Sequence, residues 1–110
     1  EAGAHLEASV MPGIGYYTVR LAAYAPDDAV YEAHGFSPES ERFADLDAVD
    51  QWYAGLITGD VLKVYAASYR SKKTPALQRT LQVPLLRGRV AVLTIDLFGN
   101  RILCAAPEGA

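Results

Sequence analysis

Asp96 stands in the run VLTIDLF. A carboxylate on so apolar a strand has to meet water, a cation or a ligand, because an unpaired buried charge is costly. Arg89 and Arg101 lie on either side of it in sequence and supply a mate across a hairpin, so a structural ion pair is the expected outcome. Asp47 and Asp50 fall at i and i+3 in DLDAVD. Paired carboxylates act as acid and base when burial drives their pKa values apart, but on the polar side of an amphipathic helix both stay solvated. Cys104 with His34 makes a formal nucleophile and base, yet ILCAA reads as a strand interior, where a free cysteine packs as a small hydrophobe. His34, Glu32 and Asp27 show no recognised metal-ligand spacing. The Gly-x-Gly of GIGYY precedes a strand, lacks a third glycine and opens no helix, so it fails as a phosphate loop. No catalytic residue, metal site or cofactor is expected. The chain reads as a non-enzymatic binding or assembly module, with a small enzyme of unidentified reaction as the last alternative.

Binding has better candidates. The chain carries seven tyrosines and one tryptophan, side chains that join an apolar ring to a hydrogen-bonding tip and so suit pockets and interfaces. Tyr17, Tyr31, Trp52, Tyr53 and Tyr65 are expected to line a cavity between helix and sheet for a small apolar or aromatic ligand. Charge supplies the second candidate. SYRSKKTPALQR, residues 68–79, holds Arg70, Lys72, Lys73 and Arg79 and no acid. It belongs to a wider asymmetry: residues 1–60 hold eleven acids against Arg20 and Arg42, whereas residues 61–110 hold eight bases against Asp96 and Glu108. Bases interleaved with Tyr65 and Tyr69 are the footprint of a nucleic-acid surface, so an accessory role on nucleic acid through residues 63–89 is the alternative function. A formal net charge of -3 and the lack of a zinc-finger or RNA-recognition motif argue against it. Residues 68–73 are expected to be the exposed end of a strand and its loop. The same patch also fits an acidic face of a second subunit, where charge sets orientation more than affinity.

These side chains need elements to hold them. Tyr16 to Tyr24, YYTVRLAAY, is rich in aromatic and β-branched residues and reads as a strand, with Val30 to Phe36 returning after the APDDA turn to complete a hairpin over 16–36. A principal helix is predicted over about 45–57, because Leu46, Val49, Tyr53 and Leu56 fall at i, i+3, i+7 and i+10 with Trp52 beside them. Asp45 would cap it and Gly59 end it. Val61 to Tyr69 is a strand with Leu62, Val64 and Ala66 on one face and Lys63, Tyr65 and Ala67 on the other. TLQVPLL is an edge strand, since Pro84 has no amide proton to donate. Residues 88–106 form a second hairpin about Phe98-Gly99-Asn100. The sum is an α+β fold, one mainly antiparallel sheet of about five or six strands packed on one helix. Residues 13–110 form a single domain, and residues 1–12 a mobile or peripheral arm with little to bury.

A chain of 110 residues, 51% hydrophobic, can form a core without a disulfide or a metal. The lone Cys104 excludes an intrachain disulfide and points to a reducing, cytoplasmic setting. Residues 1–10 fit either an extension ahead of a start at Met11 or the exposed end of an exported, trimmed precursor. No apolar run of about 18 residues occurs, so neither a membrane span nor a membrane partner is expected. A homodimer is expected, because twofold pairs are the commonest oligomers and hairpin edges need cover.

Overall fold

The computed structural model describes residues 5–25, 28–33, 46, 48–73 and 75–105. Among them run β1 (His5–Pro12), β2 (Tyr16–Ala25), the six-residue α1 (Asp28–Ala33), β3 (Val49–Thr58), β4 (Val61–Tyr69), β5 (Thr80–Pro84), β6 (Arg89–Asp96) and β7 (Arg101–Ala105). All pairings are antiparallel, in a three-stranded sheet of order β1-β2-β5 and a four-stranded sheet of order β4-β3-β6-β7. The two sheets face each other across one shared core. The molecule is a β-sandwich.

This corrects the α+β expectation. The principal helix predicted over 45–57 is not formed: Val49–Thr58 is β3, one of the two inner strands of the larger sheet, hydrogen-bonded to β4 on one side and β6 on the other. The helical spacing of Leu46, Val49, Tyr53 and Leu56 was coincidental, because this stretch is apolar on both of its strand faces and periodicity cannot decide such a run. Its composition does decide it. Val49, Trp52, Tyr53, Ile57 and Thr58 are strand formers, and Gly55 in mid-run weakens a helix. The hairpin over 16–36 is likewise corrected, since residues 28–33 are helical. The partner of β2 is instead β1, the segment read as an arm, and its pairing runs from His5 opposite Ala25 to Pro12 opposite Tyr17. Leu6, Ala8 and Val10 alternate inward against the core while His5, Glu7, Ser9 and Met11 stay exposed. Residues 34–36, Asp45 and Asp47 lie outside the described residues.

Inside the sandwich Val19, Leu21, Leu81 and Val83 of the smaller sheet meet Trp52, Ala54, Leu56, Val90 and Val92 of the larger one. Register lines the inner face of the larger sheet in rows, Ser68 beside Trp52, Thr94 and Ile102, then Ala66 beside Ala54, Val92 and Cys104. A bulge opposite the Ala54/Gly55 step leaves Tyr65 without a β3 partner. The extra residue inverts the alternation of β4, so Val64 and Ala67 share the outer face while Ala66 and Ser68 turn inward. The bulge needs Gly55. A Cβ there would lie 2.1 Å from the Lys63 carbonyl oxygen.

Candidate interaction surface

The groups with the most chemistry in sequence are spent on holding the sandwich together. Asp96 is buried at the end of β6. Its Oδ1 accepts from the amides of Phe98 at 3.0 Å and Asn100 at 2.9 Å, and its Oδ2 accepts from the Tyr24 hydroxyl at 2.8 Å. The carboxylate thus folds the β6–β7 turn over itself, with Gly99 at φ 88 supplying the left-handed residue. It also ties that turn to β2 in the other sheet. Neither Arg89 nor Arg101 is the mate that spacing suggested; a tyrosine from a strand 72 residues away is. Hydrogen bonds to a charged acceptor contribute about 1.5–3 kcal/mol each. Tyr24→Phe is therefore expected to cost about 2 kcal/mol and Asp96→Ala more. In a double-mutant cycle read by urea denaturation the two losses should fall short of adding, by about 0.5–3 kcal/mol. Strict additivity would mean that the two groups do not meet.

Arg70, the first of the basic-patch residues, is also committed. Its Nε donates to the Val49 carbonyl at 2.8 Å, Nη1 to that of Pro75 at 2.7 Å and Nη2 to that of Leu46 at 2.9 Å. A rigid fork of donors suits this work, because it satisfies three carbonyls of converging loops at once. The loop from Arg70 to Arg79 is pinned again at its far end: Trp52 Nε1 donates to the Gln78 carbonyl at 2.7 Å, the Gln78 amide donates to Ser68 Oγ at 2.9 Å, and the Leu21 amide donates to the Arg79 carbonyl at 2.8 Å. The loop is thereby fastened to both sheets. Lys72 and Lys73 remain exposed and Arg79 is half-buried. Lys73, Ser71, Tyr69 and Gln78 border a shallow depression of about 380 Å³.

Four of the five aromatic candidates have described side chains, and these divide between the core and the outer face. Trp52 is fully buried in the core, and Tyr17 and Tyr65 pack against that core from different sheets. Lys63 Nζ sits 5.3 Å from the centre of the Tyr65 ring. Tyr53 follows Trp52 on β3 and so faces the other way, its hydroxyl donating to Gln51 Oε1. Tyr31 belongs to α1, and its side chain lies outside the described set. With no helix over 45–57, the cavity expected between helix and sheet has no lid. His34 and Asp27 are also outside the described residues; among the described ones no three His, Cys, Asp or Glu side chains gather as metal ligands. Cys104 is exposed on β7, not packed in a strand interior.

What the structure does assemble is an apolar outer face on the four-stranded sheet. One row runs Ala67, Tyr53, Leu93, Leu103 across all four strands; the next runs Val64, Gly55, Ala91, Ala105, and the one on the other side Tyr69, Gln51, Ile95, Arg101. Only Gln51 and Arg101 are polar side chains in these rows, apart from the tyrosine hydroxyls. Val64 is 46% exposed, Leu103 52% and Tyr69 63%, so the face is open to water at its margins. The outer face of the smaller sheet is the opposite in character, with Ser9, Arg20 and Thr80 in one row and Met11, Thr18 and Gln82 in the next. Among the described residues, Tyr53 of the pocket candidates lies on this apolar face, and so does Tyr69 of the basic segment. Leu93 and Ile95 belong to VAVLTI on β6, a run that carries the mark of a strand covered on both sides, whereas no sequence signal singles out Leu103 on β7.

Among the described residues, no helix is long and apolar enough to cross a membrane. Comparison of the chain with protein-family models, with curated proteins and with solved structures finds no match.

Proposed function

We propose that this β-sandwich is an assembly module that pairs with a second copy of itself through the outer face of its four-stranded sheet. The observation that carries the reading is the row Ala67, Tyr53, Leu93, Leu103, apolar from edge to edge. Such a face, with its central tyrosine hydroxyl already bonded to Gln51, has no polar atom in its middle that needs a specific mate. It is therefore complementary to itself, as a twofold contact requires. Size supports the same reading. Four strands about 4.8 Å apart and five to ten residues long present roughly 500 Å² of projected face, and two copies together reach the roughly 1,000 Å² that a biological contact has to clear. Aligned sheets pack in this way about 10 Å apart. The function is then structural: the module brings two chains together, with no reaction of its own.

Light scattering across micromolar to hundred-micromolar concentration tests it. The wild-type chain is expected to show twice the mass of one chain, and Leu93→Lys with Leu103→Lys the mass of one, with the far-ultraviolet spectrum unchanged. A wild-type mass of one chain throughout, or a dimer indifferent to both lysines, would remove the proposal.

A further inference from the structure

A second surface lies at one end of the sandwich, where the β1–β2 turn, the β3–β4 turn and the β5–β6 connection come together. The Leu85 amide donates to the Gly15 carbonyl at 3.1 Å, and Thr58 Oγ1 lies 3.5 Å from the Arg87 carbonyl, so the three turns form one surface. Six of the large apolar side chains exposed on the molecule lie on or beside them: Met11 at 70%, Ile14 at 97%, Tyr16 at 39%, Val61 at 66%, Leu85 at 44% and Leu86 at 54%. Turns ordinarily carry polar residues to water, and an apolar cluster on three of them at once marks a contact site. Arg87 and Arg89 stand among them and, with Ile57, Thr58, Gly59 and Gly88, line a depression of about 490 Å³. Asp60 is the one carboxylate in these turns.

We infer that this end docks on an anionic lipid surface, with the apolar tips entering the headgroup boundary and the Arg87–Arg89 depression receiving headgroup phosphates. Shape and charge select lipid over protein. The apolar side chains come from three linked turns, and Ile14 at 97% exposed stands clear of its neighbours, a tip that a fluid surface accommodates without a fitted cavity. A fluid bilayer closes around any convex tip. Tyrosine settles at the headgroup level, and arginine beside apolar residues matches an anionic surface that a neutral protein groove would not offer. Nothing here requires a spanning segment: contact of this kind is interfacial and rests on buried apolar area plus attraction to charged lipid. That is why a search for long apolar runs in the sequence passes it over.

Sedimentation of the full chain with vesicles tests the inference, using phosphatidylcholine alone and an equal mixture of phosphatidylcholine and phosphatidylglycerol. The chain is expected to pellet with the mixed vesicles and much less with the neutral ones. Each arginine near an anionic surface contributes about fivefold to partitioning, so Arg87→Gln with Arg89→Gln should lower it about 25-fold. Ile14→Asp with Leu86→Asp, both at exposed positions that leave the core intact, should abolish it. Absence of wild-type binding to either vesicle would overturn the inference, as would binding that survives the two aspartates or ignores loss of the arginines. If the aspartates instead change the mass of the chain in solution without any vesicle binding, this end is a protein contact and the lipid reading fails.

Discussion

Trp52→Ala is expected to remove about 4–6 kcal/mol of stability. Trp52 is fully buried at the centre of the shared core, and truncating such a side chain to alanine costs about 3–5 kcal/mol in lost burial and residual cavity. The loss does not end there. Its indole nitrogen holds the Gln78 carbonyl at 2.7 Å, and releasing that bond adds about 1 kcal/mol while freeing a loop that both sheets share. Against a total of about 5–15 kcal/mol for a domain of this size, the sum removes between about a third and nearly all of the stability. Trp52→Phe separates the two contributions, because it keeps much of the ring and loses only the bond and some volume. Urea denaturation followed by circular dichroism should order the three chains as wild type, Trp52→Phe, Trp52→Ala. A loss below about 1 kcal/mol for Trp52→Ala would mean that Trp52 lies at a surface.

Gly55→Ala should cost nearly as much through a single methyl group. The added Cβ would lie 2.1 Å from the Lys63 carbonyl oxygen, 2.9 Å from its carbon and 3.0 Å from the Val64 Cα. All three atoms are backbone in a paired strand, so no side chain can swing aside. Relief requires β4 to move by more than an ångström, on the order of what breaks a hydrogen-bonded pairing. The expected penalty is about 3 kcal/mol, the upper part of the range for overpacking. Ala54→Gly, one residue away, provides the contrast: it removes a buried methyl and should cost about 1–2 kcal/mol from lost burial and added backbone freedom. Should Gly55→Ala prove neutral, the bulge at Tyr65 and the outward placement of Val64 and Ala67 would both be wrong.

How much of this was legible in the sequence depends on how many faces each strand shows to the core. The β6–β7 hairpin stood out because β-branched residues led into Phe98-Gly99-Asn100, a turn whose glycine does adopt positive φ. β2 and β4 were legible for the same reason of composition. β3 was not, since a central strand apolar on both sides has no two-residue period to read, and its accidental helical spacing took precedence. β1 was passed over for the opposite reason. Its inward residues Leu6, Ala8 and Val10 do alternate, but they are small in number and separated by charge, so the pattern looked too thin to bury. The outer face is illegible in sequence for the same reason. A helix over 45–57 turns Tyr53 toward a pocket, and only β3 as a strand places it in a row with Leu93 and Leu103. The basic segment was read correctly as charged but not as structural. No spacing rule announces that Arg70 will spend its guanidinium on the carbonyls of Val49, Pro75 and Leu46, because those carbonyls are brought together only by the fold.

The central claim, self-association through the outer face of β4-β3-β6-β7, is tested most directly by nuclear Overhauser contacts between chains. A sample that mixes isotope-labelled and unlabelled protein reports only protons that approach across a chain boundary. The methyls of Leu93, Ile95 and Leu103 and the ring of Tyr53 are expected to show contacts to the other copy, and the inward-facing Val19, Val83 and Val92 to show none. Intermolecular contacts confined to other surfaces, or absent at concentrations where the mass is that of two chains, would contradict the claim.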